Sequence, residues 1–79
     1  MLNKVKNDYV GTWRYNNTNF YIEVFQNEKV LSAYLYHKDY SVKVFVVGYE
    51  ESDIDLFLNI VEGNIETSIS FYIEEYISD

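Results

Sequence analysis

The chain has 79 residues, of which 48% are hydrophobic and 19% aromatic, and its formal net charge is −7. That length suits one domain, residues 1–79, with a thin margin of stability, and the apolar share excludes a disordered chain. With no cysteine and one histidine, disulfides and thiolate chemistry are excluded, a zinc site is disfavoured, and no metal or cofactor is expected.

Residues 1–7 carry charge but no apolar stretch of the kind a secretory signal needs, so they read as a frayed end or a helical turn. From Tyr9 onward the dominant pattern is alternation with period two, the mark of strands with one buried face. The first run spans Tyr9 to Tyr15 and contains Gly11 and Trp13. In the second, Phe20, Ile22 and Val24 alternate with Tyr21, Glu23 and Phe25. In the third, Leu31, Ala33 and Leu35 alternate with Ser32, Tyr34 and Tyr36. Tyr40 to Val47 sets Val42, Val44 and Val46 against Lys43, Phe45 and Val47. Ile54 to Ile60 has aliphatic residues at every even position, and Ile65 to Ile73 puts Ile65, Ile69, Phe71 and Ile73 on one side.

The breaks between these runs are short and polar, and Gly63-Asn64 is the best turn signal among them. None is long enough for a crossover helix. The fold expected is all-β: an antiparallel meander of six strands forming a small barrel or a twisted sheet. Residues 74–79 either extend the last strand or leave it.

One face of that sheet takes the aliphatic residues. The other still carries Tyr21, Phe25, Tyr34, Tyr36, Phe45, Val47, Phe57 and Tyr72. Side by side, these form an apolar patch large enough to mark an interface, either in a homodimer or with a partner. Phe45 and Phe57, expected on neighbouring strands, are its natural anchors. On this reading Leu56→Asp unfolds the domain, whereas Phe57→Ser leaves it folded.

Charge is distributed unevenly. Residues 1–43 hold all six basic side chains and net +2, whereas residues 44–79 hold nine acids and no base. Such an acidic field repels phosphate and attracts basic surfaces, which argues against direct nucleic-acid binding. Acids two apart on a strand lie roughly 7 Å from each other, comparable to phosphates along one nucleic-acid strand. An acidic edge could therefore fill a basic groove on a nucleic-acid-handling enzyme. The run Glu50-Glu51-Ser52-Asp53-Ile54-Asp55 lacks the glycine and terminal glutamate of a calcium loop. His37 reads as a loop residue. No nucleophile elbow, phosphate loop or catalytic triad is present, so an enzyme is not expected.

Tyr9-Val10-Gly11-Thr12-Trp13 resembles the Gly-x-Trp signature of calycin-type barrels, such as lipocalins and avidin-like proteins, over Asp8 to Tyr15 and in the meander pattern. The resemblance implies a shortened barrel or a dimer of half-sheets, with Trp13 lining a ligand pocket at the open end.

The function expected is that of a small acidic binding protein, an inhibitor docking on a basic enzyme surface. Phage counter-defence and bacterial immunity proteins have this character. Glu50, Glu51, Asp53, Asp55, Glu62 and Glu66 would steer the encounter, and Tyr34, Tyr36, Phe45, Phe57 and Tyr72 would hold the complex. A calycin-type ligand carrier and a purely structural assembly subunit are the alternatives. No apolar run is long enough for a membrane span, so a cytoplasmic protein is expected.

Overall fold

A computed structural model describes residues 1–77. It is a five-stranded antiparallel sheet with one long helix laid across one face. The strands are β1 (Leu2–Lys6), β2 (Gly11–Tyr15), β3 (Phe20–Asn27), β4 (Val30–His37) and β5 (Lys43–Glu50). They pair in chain order as a meander. Each hairpin joins sequence neighbours, so every pairing is local. The sheet stays open, with β1 and β5 as its edges.

The alternation expected for β2 to β5 is present, and it sorts the residues cleanly. Trp13, Ile22, Leu35 and Val44 stand in register across four strands and are buried on one face. Val24 and Ala33 lie beside them, fully buried. Gly11 and Trp13 share this face, and the indole folds back over the glycine. A Cβ at Gly11 would come within 2.5 Å of the Trp13 ring, and the φ of +157° disfavours other residues there. The spacing of the Gly-x-Trp motif thus has a local packing reason. Trp13, only 5% exposed, is a core residue beneath the helix side of the sheet.

Residues 2–6 are neither frayed nor helical. They form an edge strand, β1, in which Leu2 pairs with Tyr15 and Lys4 with Trp13. The fourth run starts its strand at Lys43, not Tyr40. An irregularity between Ala33 and Tyr34 in the β4–β5 pairing shifts the register, which puts Val47 beside Ala33 on the core side.

The largest correction is at the C-terminal end. The two strands expected over 54–60 and 65–73 are one helix, α1 (Ile54–Tyr72), continued by a π-helical segment at Ile73–Ile77. The fold is therefore mostly β but not all-β, and it has five strands rather than six. The physical reason lies in two overlapping periods. Ile54, Phe57, Leu58, Val61, Ile65, Ser68, Ile69 and Tyr72 recur at three- and four-residue intervals and form the buried or half-buried stripe. Leu56, Ile60 and Phe71 form a second, exposed apolar stripe. The two stripes together make 54–60 alternate as a strand would. Asp53 starts the helix as its N-cap, accepting from the backbone N–H groups of Asp55 (2.9 Å) and Leu56 (3.4 Å). Gly63-Asn64 turns nothing and sits inside the helix.

Packing explains why the helix wins. A meander that added two more strands would widen its apolar face without covering it, whereas a returning helix covers it. Phe57 and Val61 are fully buried, and Ile65 nearly so, against that face. Residues 74–79, expected either to extend a last strand or to leave it, continue the helix as the π-helical segment as far as Ile77, and residues 78–79 lie outside the described residues.

Candidate functional site

Because the helix covers one face, the other is left without a covering element among the described residues. The side chains there come from the second set of alternating positions. Tyr9, in the β1–β2 turn with a φ of 63°, lays its ring on Phe25 at 4.6 Å between centroids. Phe25 meets Tyr34 edge-on at 5.6 Å, and Tyr34 meets Phe45 in the same manner at 5.6 Å. Tyr21 stacks on Tyr36 at 5.5 Å. The Tyr9–Phe25–Tyr34–Phe45 row thus crosses the sheet, and the Tyr21–Tyr36 pair flanks it. Phe45 is 58% exposed and Tyr9 78%.

The middle of this face is charged. Glu23 is buried between Ile22 and Val24 in sequence, but its side chain points to the open side and forms an ion pair with Lys43. Lys43 lies two strands away on β5, and its ammonium sits 5.4 Å from the Phe25 ring centroid and 5.7 Å from that of Tyr36. Burial, together with the nearby charges of Glu23, Tyr21 and Asp8, pushes the Tyr36 phenol up to about 12. Phe25, Asn27, Ser32, Tyr34 and Lys43 line a shallow cleft of about 490 Å³. Its floor is low because Ser32 stands opposite Gly48. A Cβ on Gly48 would meet the Ser32 hydroxyl at 3.0 Å and Phe45 at 3.3 Å.

The face ends in acid. Asn27, Val30 and Glu50 occupy one cross-strand row, two residues beyond Phe25, Ser32 and Gly48, which places Glu50 on the open side. A second cleft at this end is lined by Gln26, Glu28, Lys29, Glu50, Glu51 and Ser52. Glu51 organises the loop by accepting from the backbone N–H groups of Ser52 (2.9 Å) and Asp53 (3.1 Å). Asp53 is the helix cap. Asp55 stands in the first helical turn, where the helix dipole favours a negative charge.

The remaining expected site residues lie elsewhere. Glu62 and Glu66 are one turn apart on the helix and face the β1–β2 edge. Glu62 accepts from the Leu2 backbone N–H at 3.0 Å, and Glu66 accepts from the Tyr15 hydroxyl. That bond is the main reason the Tyr15 phenol is held above its usual value. Phe57 and Tyr72, expected beside Phe45, are fully buried under the helix. Phe57 packs on Tyr49, and Tyr72 packs on Phe20. Their period-two positions belong to a helix, so the face assignment did not carry over to them. The acids spaced two apart, Asp53 and Asp55, do not line a strand, and the phosphate-like spacing along a last strand falls away with that strand.

From the expected set, the structure thus puts Tyr34, Tyr36 and Phe45 together on the open face, with Glu50 on the same face at its far end. It adds Tyr9, Tyr21, Phe25, Glu23 and Lys43. Tyr21 and Phe25 were already marked by alternation. Glu23 and Lys43 carried the same signal, a charged residue between two β-branched ones, which by itself reads as an ordinary solvent-facing position. Among the described residues, no group of three or more His, Asp or Glu side chains converges as a metal site. No described helix is long and apolar enough to cross a membrane. No protein-family model, curated protein or solved structure matches the chain.

Proposed function

We propose that this chain is a small acidic binding protein that docks through the uncovered face of its sheet on a protein with a basic surface. The observation that carries this reading is the aromatic row Tyr9–Phe25–Tyr34–Phe45, which lies on the face opposite the helix, with Glu50 further along β5 at the end of that face. Aromatic rings on a rigid sheet provide large contact area with little entropy to lose. Glu28, Glu50 and Glu51 at the end of the face, together with a net charge of −7, supply steering toward a cationic partner. An inhibitor of an enzyme with a basic surface is the role that fits this combination of anchors and charge.

The test compares the parent chain with Tyr34→Ser and Phe45→Ser in affinity capture from the cell of origin, each variant first checked for an unchanged melting temperature. The reading predicts a basic partner that both variants lose and whose association rate falls steeply with salt. A partner held equally by parent and variants removes the sheet face as the docking surface. If instead the parent sediments as a dimer and Phe45→Ser as a monomer, a second copy of the chain is the occupant.

A further inference from the structure

The centre of the open face holds a carboxylate that is more buried than its position requires. Glu23 is 8% exposed, and its only ion-pair partner among the described residues is Lys43, whose side chain is 43% exposed. Lys43 comes from an edge strand and spans β4 to reach it. Beside Glu23, in register on β2, stands Thr12, 1% exposed, with a buried hydroxyl that has no hydrogen-bond partner among the described residues. Buried polar groups are rarely left so. The rings of Phe25 and Tyr36 flank the cation position.

This arrangement suits a guanidinium better than the ammonium it holds. A guanidinium is planar and weakly hydrated, stacks on aromatic faces, and grips a carboxylate with two parallel N–H donors. It would keep further N–H donors for a neighbouring hydroxyl. An ammonium on a flexible stem is a point charge and loses less on returning to water. We infer that Glu23 is the receptor for an arginine side chain of the docked protein, and that Lys43 occupies this position in the free chain and is displaced on binding. The inference rests on the docking reading and names the anchor of that same surface. The exchange replaces one cation by another, so Glu23 keeps a partner throughout. The displaced Lys43 gains water at the sheet edge.

The probe is a blocked tripeptide, acetyl-Gly-Arg-Gly-amide, compared with its citrulline counterpart, which keeps the shape but not the charge. In the parent chain, the arginine peptide should move the side-chain NMR signals of Lys43 toward those of a free lysine, and the citrulline peptide should not. In Lys43→Met, which leaves Glu23 without its partner, the arginine peptide should bind at least tenfold more tightly than to the parent and raise the melting temperature at constant ionic strength. Glu23→Gln in that background should abolish the effect. Lys43 signals that stay put at millimolar arginine peptide overturn the inference, as does equal binding by parent and Lys43→Met. Should Lys43→Met fail to fold, the titration of the parent decides alone. Such a failure leaves the docking reading standing, because that reading is tested on Tyr34 and Phe45 with the whole partner.

Discussion

The Tyr72 hydroxyl donates to the Val42 carbonyl at 2.8 Å and accepts from the His37 backbone N–H at 3.3 Å. One side chain near the end of the helix thereby clasps both ends of the β4–β5 loop. The ring beneath it packs edge-on against Phe20 at 5.7 Å. Tyr72→Phe should keep that packing and lose the clasp. The expected cost is about 1 kcal/mol, from backbone groups left unpaired. Urea unfolding measures it, and hydrogen exchange should quicken at His37 to Val42.

Gly63 discriminates helix from hairpin. Nothing lies within 4 Å of where its Cβ would be, and it sits inside α1. Gly63→Ala should stabilise the protein by about 0.5–1 kcal/mol, because alanine is the better helix former and restricts the unfolded chain. In a Gly63-Asn64 turn the same change would destabilise. A thermal melt gives the sign.

Leu56 and Phe57 exchange the roles that alternation assigns them. Phe57 is fully buried and Leu56 is 52% exposed. Phe57→Ser should cost roughly 3–5 kcal/mol or more, as loss of a core aromatic does, and should leave a 79-residue domain close to unfolding. Leu56→Asp should cost about 0.5 kcal/mol, chiefly in helix propensity. Circular dichroism of the two variants at room temperature separates them.

Alkaline pH should weaken the fold. Tyr36 is raised to about 12 from 10.0, so the folded chain holds that proton after the unfolded chain has released it. Stability is then level below about pH 10 and falls as pH rises toward 12. Tyr15, held up first by its bond to Glu66, acts in the same direction. Tyr36→Phe should flatten the fall, as followed by melting temperature and tyrosinate absorbance.

Replacing the helix cap offers an independent check on where the helix starts. Asp53→Ala removes the acceptor for the Asp55 and Leu56 N–H groups and should cost about 1 kcal/mol. Glu50→Ala, at the end of β5 beside Val30, should change stability by less than about 0.5 kcal/mol. Paired melts of the two variants test the difference.

The meander was legible in the sequence because strand alternation is a local signal. Ile22, Val24, Ala33, Leu35 and Val44 could be assigned to one face, and Tyr21, Phe25, Tyr34, Tyr36 and Phe45 to the other, from parity alone. Parity failed for Phe57 and Tyr72, because a helix with two apolar stripes reads as alternation over seven residues, and for Val47, because a register shift reverses parity beyond it. The order and facing of the strands were therefore set by the amino acids themselves. Which face would be covered, and so which aromatics remain open around Glu23 and Lys43, was decided only by tertiary packing. An apolar sheet face gains more from a helix laid over it than from further strands beside it, and that preference belongs to the assembled sheet rather than to any one stretch of chain.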